Sequence, residues 1–304
     1  MAIQFHNRVA IVTGAGGGLG RQHALALAAR GARVVVNDLG GARDGTGGCD
    51  AAAESVAQEI RAAGGVAIAN GASVTDAAAV EAMVKQAVDA WGRVDILVNN
   101  AGNLRDKTFA KMRVEDFRAV IDVHLMGAVN CTKAVWDVMR AQSYGRIVMT
   151  TSASGLYGNF GQANYSAAKM ALVGLMQTLA LEGARHDIRV NCLAPTAATR
   201  MTEGIMPETM SRLMEPAAAT PGLIYLVSDD APTRAILCAG AGSYARAYVT
   251  LTPGVFLGNG EDAAERVAAR FDAISAREGD SVPKQAADQG SSEAAKALGN
   301  GVVA

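Results

Sequence analysis

The stretch RVAIVTGAGGGLGRQHALALAARGARVVVND, residues 8–38, limits the fold of this chain more than any other feature. Arg8 to Val12 reads as a short apolar strand, and Thr13 to Gly20 as a glycine-rich turn. A helix rich in Ala and Leu then runs to about Arg30, and Arg33 to Val36 forms a second apolar strand ending at Asn37 and Asp38. A glycine-rich turn alone says little; between a buried strand and a helix it suits a dinucleotide. Gly14 allows the tight turn, and Gly18 and Gly20 clear side chains from where a pyrophosphate and a neighbouring strand come close. Asp38 stands where a carboxylate accepts ribose hydroxyls and repels a 2′-phosphate, so NAD is expected rather than NADP. Arg43 follows in a Gly-rich insert and is open to two readings, a phosphate contact or a solvated loop cation.

Beyond this unit, apolar strands and helical stretches alternate. Strands are expected at 8–13, 33–37, 66–69, 94–99, 145–151, 188–193 and 234–239, and helices at 18–30, 50–63, 76–91, 115–140, 162–184 and 217–228. The alternation predicts an α/β fold, one doubly wound, mostly parallel sheet covered by helices on both faces. Residues 1–255 are expected to form the single catalytic domain, and 256–304 a C-terminal helical extension that opens with an amphipathic helix in GEDAAERVAARFDAISAREGD. The segment 200–216 carries methionines at 201, 206, 210 and 214; it is either a mobile lid over an apolar site or a packed connecting helix.

Tyr165 and Lys169 lie four residues apart in QANYSAAKMALVGLMQTLA, on one face of the helix expected there, and Ser152 follows the apolar run RIVMT. A free tyrosine, with a pKa near ~10, is a poor acid or base at neutral pH. A lysine ammonium beside it favours the phenolate, which can then exchange a proton with an alcohol or carbonyl, and a serine hydroxyl can hold the same oxygen. An ordinary helix with a tyrosine and a lysine at this spacing is the plain alternative.

A formal net charge of −1, without a basic patch interleaved with aromatics, argues against nucleic acid as a partner. Although half the residues are hydrophobic, no uninterrupted apolar run approaches the ~20 residues that span a bilayer, so no membrane partner is expected. Cys49, Cys131, Cys192 and Cys238 are scattered, as are the four histidines, which suggests neither a metal site nor a disulfide framework. The start MAIQFHNR enters the first strand without the regions of a signal peptide. A reducing cytoplasm is the expected location.

Taken together, TGAGGGLG at 13–20, Asp38, NNAG at 99–102, Ser152, Tyr165 and Lys169 resemble the short-chain dehydrogenase/reductase family over residues 6 to about 243. The resemblance implies a Rossmann-like sheet and an oxidoreductase in which Tyr165 is the acid/base, Lys169 assists it and bonds the nicotinamide ribose, and Ser152 positions the substrate. It assigns cofactor contacts to Gly14, Gly18, Leu19, Gly20, Asp38, Asn100, Ala101 and Gly102, together with Tyr165 and Lys169. VVVNDLGG, VNNAGNLRDKTFA, VHLMGA and NCLAPTAATRMTEGIMPE narrow the likeness to the dehydrogenase part of peroxisomal multifunctional enzymes of type 2, which oxidises (3R)-hydroxyacyl-CoA esters with NAD. An acyl-CoA substrate is therefore implied, with Arg105, Lys107, Arg200 and Arg212 open as phosphate contacts or surface charge. Other secondary alcohols, such as a hydroxysteroid, and the reverse reduction of a 3-ketoacyl thioester remain alternatives.

The chain departs from the commoner family pattern in several places. His124 stands where the family has a catalytic asparagine that chiefly offers its main-chain carbonyl to a water chain ending at the lysine. The imidazole is thus either a fourth catalytic group or a structural histidine. Ser73 replaces the acidic residue that contacts adenine, with backbone help expected from Val74. Pro195-Thr196 replaces Pro-Gly, and Thr199 offers a hydroxyl to the cofactor. Helices 115–140 and 162–184 form the main dimer contact in the family. With Val129, Val135, Trp136, Ala167 and Leu172 taken as outward-facing, a homodimer is expected, or a homotetramer of such dimers, with the C-terminal extension near the partner's substrate cleft.

Overall fold

Val9–Thr13 (β1) is buried at every position, as a strand covered by helices on both sides must be. In the computed structural model, which describes residues 2–49, 51–198 and 208–299, it opens a strand–helix alternation. Gly18–Ala28 (α1), Arg33–Asn37 (β2), Ala51–Ala62 (α2), Val66–Asn70 (β3), Ala77–Trp91 (α3) and Ile96–Asn99 (β4) make the first half. Val114–Ile121 (α4), Gly127–Gln142 (α5), Gly145–Thr150 (β5), Ala153–Tyr157 (α6), Ala163–Gly183 (α7) and Ile188–Pro195 (β6) follow, then Glu208–Leu213 (α8), Thr220–Leu226 (α9), Ile236–Gly240 (β7) and Ser243–Ala247 (β8).

The sheet runs β3-β2-β1-β4-β5-β6-β7-β8, and the neighbours from β3 to β7 are parallel. Chain order reverses between β1 and β4, which opens a crevice beyond their carboxyl ends. This is the Rossmann-like doubly wound sheet expected from the alternation. Local chemistry sets the element ends. Asp76 caps α3 through the Ala79 amide at 3.1 Å, and Gly92, at φ +78°, stops that helix in the left-handed conformation.

Several elements differ from expectation. The single helix expected over 115–140 is divided: Asp122–Met126 is a π turn between α4 and α5, closed by the Gly127 amide on the Asp122 carbonyl. β8 is exposed and polar, so it carries none of the apolar signal of a buried strand; Ala241 and Gly242, at φ +49° and +74°, turn the chain into it. Val135 and Leu172, expected on an outer face, are buried in the core. Ala167 is exposed as expected, on an outward stripe of α7 that continues through Met170, Gly174 and Leu181. Residues 247–304 form a compact unit distinct from 1–246. In it, the single helix expected for GEDAAERVAARFDAISAREGD is two short ones, Ala263–Ala269 (α10) and Phe271–Ser275 (α11), followed by Ala287–Gly299 (α12). No helix among the described residues is long and apolar enough to cross a membrane.

Polar groups lock the amino ends of the strands. Buried Asp95 accepts from the Val9 amide at 2.9 Å and pairs with Arg8 and Arg93 at 3.1 and 2.6 Å. The Tyr144 ring is held between the guanidinium groups of Arg8 and Arg146, 3.6 and 4.2 Å from its centroid. Arg146, only 1% exposed, donates to the carbonyls of Ser228 and Asp187 at 3.0 and 2.7 Å. Its buried charge is therefore fully partnered.

His23 on α1 meets Thr220 at the start of α9 through Nδ1 at 3.0 Å, and burial pushes its pKa down to about 3. The unfolded chain binds a proton here below about pH 6.5 that the folded chain refuses until about pH 3. Stability from this residue is thus complete above that window and is lost as pH falls through it. His23→Asn keeps a side-chain partner for Thr220 without titrating. Its unfolding free energy should fall less steeply between pH 6 and 4, by at most about 1.4 kcal/mol per pH unit. Parallel urea titrations across that range check this; equal slopes would show that His23 is not the group responsible.

Candidate active site

The glycine turn lies at the carboxyl end of β1. A Cβ on Gly14, itself at φ +63°, would stand 2.8 Å from the Ala101 Cα, so the turn and the chain after β4 touch through backbone alone. α1 begins without a side-chain cap on Gly17 and without an acid in its first turn, and space is open beside Gly17. Its first-turn amides are available to an anion, as a pyrophosphate requires. Asp38 directly follows β2 and faces this turn: one carboxylate oxygen accepts from the Gly16 amide at 2.7 Å, the other from the Gly40 amide at 2.6 Å. A carboxylate held this way keeps lone pairs for ribose hydroxyls, so the residues present fit a nicotinamide dinucleotide.

The other expected cofactor residues are distributed as follows. Leu19 is partly buried against the core. Asn100 spends its side-chain amide on the carbonyls of Thr13 and Gly14, at 2.9 and 3.1 Å, and so braces the turn. A Cβ on Gly102 would meet the His124 ring at 2.3 Å. The Ser73 hydroxyl shares a hydrogen bond with Thr75, and Val74 is buried, its carbonyl accepting from Asn130. Pro195 closes β6 opposite Ala239. Thr199 and Arg200 lie outside the described residues, as do Met201 and Met206 of the expected lid.

Ser152, Tyr165 and Lys169 come together beyond β5. Ser152 caps α6, accepting from the Ser154 amide at 3.1 Å, and its hydroxyl stands near enough to the Tyr165 phenol to favour the phenolate. Lys169 is buried, with Nζ 5.4 Å from the Tyr165 ring centroid and donating to the Thr150 carbonyl at 2.6 Å. Burial lowers the Lys169 pKa to about 7. Burial also raises the Tyr165 phenol above its ordinary value, against the opposing effect of the Ser152 hydroxyl. The sign is opposite to that expected from the lysine alone, because desolvation of the phenolate is the larger effect.

His124 sits in the π turn with its ring edge-on to Tyr165, centroids 5.2 Å apart. Nε2 lies 2.8 Å from the Asn103 carbonyl and 3.1 Å from its amide, so either neutral tautomer is served. Burial, and then the charge of Lys169, holds the imidazole well below its usual pKa. Nδ1 has no partner among the described residues, and a cavity of about 10 Å³ lined by Thr13, Asn99, His124 and Lys169 adjoins it. That is roughly the space of one water.

Two residues of this site escape a sequence reading. Buried Asn164 accepts from the Tyr165 amide at 2.8 Å and donates to the Arg105 carbonyl at 3.1 Å; an Asn at a helix start was the available signal. A Cβ on Gly155 would lie 2.7 Å from the Lys169 Cβ and 3.0 Å from the Met170 amide nitrogen, a contact with no sequence signature.

A dinucleotide turn beside a Ser-Tyr-Lys cluster defines an oxidoreductase acting on CH–OH groups with a nicotinamide cofactor. The family model for short chain dehydrogenases matches residues 8–209, and the chain belongs to that family. It is 51% identical over 242 residues to peroxisomal multifunctional enzyme type 2 of Drosophila melanogaster, covering 80% of this chain but 39% of the fly protein. The solved full-length fly enzyme superposes with a TM-score of 0.80 at 35% identity, over 98% of this chain and 50% of that one. A solved 7α-hydroxysteroid dehydrogenase, complexed with NADH and 7-oxo glycochenodeoxycholic acid, gives 0.71 at 29% identity, over 79% and 95%. The expected cytoplasmic location is overturned by the multifunctional relatives, whose names point to the peroxisome instead. Scattered cysteines suggest no disulfide framework but carry no address, which is why that expectation failed.

Gly155 supplies a test of the packing beneath Lys169. Gly155→Ala should leave the chain folded but push α6 and α7 apart, losing about 1–3 kcal/mol of stability to overpacking. Turnover should fall as well, by about tenfold for each 1.4 kcal/mol that the displaced Lys169 adds to the barrier. Circular dichroism with kinetics checks this; unaltered turnover would show that the α6–α7 spacing does not matter to the site.

Proposed function

We propose that the protein oxidises the hydroxyl of a (3R)-3-hydroxyacyl-CoA to the 3-ketoacyl-CoA with NAD. The observation that carries this reading is the meeting of Ser152, Tyr165 and Lys169 beside a dinucleotide turn, in a chain 51% identical over 242 residues to part of the fly multifunctional enzyme. NAD, when bound, supplies the hydride acceptor. Ser152 and Tyr165 hold the substrate hydroxyl between them, and Tyr165 takes its proton. Because burial raises the phenol, the reaction in this direction should quicken as pH rises above neutral. Buried Lys169, with Nζ 5.4 Å from the Tyr165 ring centroid, supplies positive charge beside the phenolate while it stays protonated, which burial limits to about neutral pH and below. Asp38 favours NAD, its carboxylate repelling a 2′-phosphate.

A panel of (3R)- and (3S)-hydroxyacyl-CoAs with a hydroxysteroid, run with NAD and with NADP, tests the reading. The (3R)-thioesters with NAD should be used best. Tyr165→Phe should lower that turnover by roughly 10²–10⁴-fold with the fold retained. A clear preference for the free steroid, for the (3S) series or for NADP would sink the corresponding part.

A homodimer is proposed through the outer stripe of α7 with α5. Met170 and Leu181 are 41% and 49% exposed there, and Gly174 has open space around it that lets a second backbone approach. Light scattering should give twice the chain mass, and Met170→Glu with Leu181→Lys should halve it. A monomeric parent would dispose of the proposal.

A further inference from the structure

The Gly-rich insert folds onto the loop that follows β4. The Leu104 amide donates to the Arg43 carbonyl and Arg105 Nε to the Asp44 carbonyl, both at 3.0 Å. A cleft of about 440 Å³ opens there, lined by the cations Arg43, Arg105 and Lys107 and the carboxylates Asp44, Asp106 and Asp116. Its wall is continuous with the start of α7. The Lys107 amide bonds the Gly161 carbonyl at 2.9 Å, Gln162 donates to Asp106 at 2.7 Å, and Asn164, next to Tyr165, holds the Arg105 carbonyl. A molecule reacting at Tyr165 therefore has this cleft beside it.

The formal charges balance, but they are not equally committed. Asp44 is occupied by the Thr46 hydroxyl and amide at 2.7 and 3.0 Å, and Asp106 by Gln162. Asp116 is shared by Arg105 at 3.2 Å and Lys107 at 3.5 Å. The Lys107 pair is half exposed and long, an arrangement that contributes little. The Arg43 guanidinium is exposed and has no partner among the described residues. A phosphate offers both cations a stronger, charge-assisted acceptor than water or Asp116 does.

We propose that this cleft binds the phosphate-bearing nucleotide end of the thioester substrate, with Arg43 and Lys107 as its phosphate contacts. Arg105, tied down by Asp116 and the Asp44 carbonyl, is the fixed wall between those contacts and Tyr165. The assignment rests on the reading of the substrate as a CoA thioester. A phosphate could also reach Arg43 as the 2′-phosphate of NADP, so the test separates the two sources.

Arg43→Ala, Lys107→Ala and the double variant of the full chain are assayed with a 3-hydroxyacyl-CoA and with the same acyl group on N-acetylcysteamine, which has no phosphate. The ratio of the two KM values should rise on the order of tenfold per cation removed, as the loss of a charge-assisted contact predicts. A KM increase shared by both thioesters, or none in either, overturns the proposal. An effect confined to the KM of NADP gives Arg43 to the cofactor and overturns it as well. If the parent oxidises neither thioester, the substrate reading fails by itself. Calorimetry with coenzyme A in saturating NADH then decides the cleft: binding by the parent that the double variant loses supports it, and no binding by the parent overturns it.

Discussion

One buried hydroxyl joins the two halves of this sheet. Thr13, at the end of β1, donates to the Val98 carbonyl at 3.3 Å and accepts from the amides of Asn100 and Ala101 at 3.0 and 3.1 Å. A hydroxyl has one donor and two acceptor positions, and all are used. Asn100 returns two bonds to the backbone of the turn. The glycine turn and the chain after β4 are thereby fixed to each other at the place where strand order reverses. Everything else in the site is referred to that junction: Gly102 sets the distance to His124, and His124 and Thr13 share the small cavity with Lys169.

The two edges of the sheet divide the labour. At the amino ends, the charges of Asp95, Arg146 and Asp187 are partnered into a fixed network. At the carboxyl ends, polar atoms of His124 and Asn99 are left without partners among the described residues, and burial rather than pairing sets the charge state of Lys169. Rigidity at one edge permits unsatisfied groups at the other, where reacting molecules can use them.

Much of the fold was legible because the strands are buried on both faces and read as unbroken apolar runs. What failed did so for physical reasons. β8 is exposed, so its sequence SYARA has no such run. The π turn leaves the apolar composition of 115–140 unchanged, and only hydrogen bonding reveals it. α7 is apolar around much of its circumference, so its sequence did not tell the inner face from the outer, and Leu172 was assigned to the wrong one. Of the site, the residues with distinctive chemistry were visible: Ser152, Tyr165, Lys169, Asp38 and the glycines. Asn164 and Gly155 act through a backbone bond and through the lack of a Cβ, neither of which a residue's identity announces.

The π turn at Asp122–Met126 also sets the phase of the helix that follows. It holds one residue more than α-helical hydrogen bonding would accommodate, and each residue of an α-helix is worth about 100° of rotation. Cys131, Val135 and Met139 reach the core, and Lys133, Asp137 and Arg140 the surface, only with that extra residue in place. Loss of a single residue between 122 and 126 would turn the whole of α5 by about a quarter of a turn and bring charge to its buried side. A local irregularity that presents one histidine to the site thus acts as a counting device for the next four turns of chain.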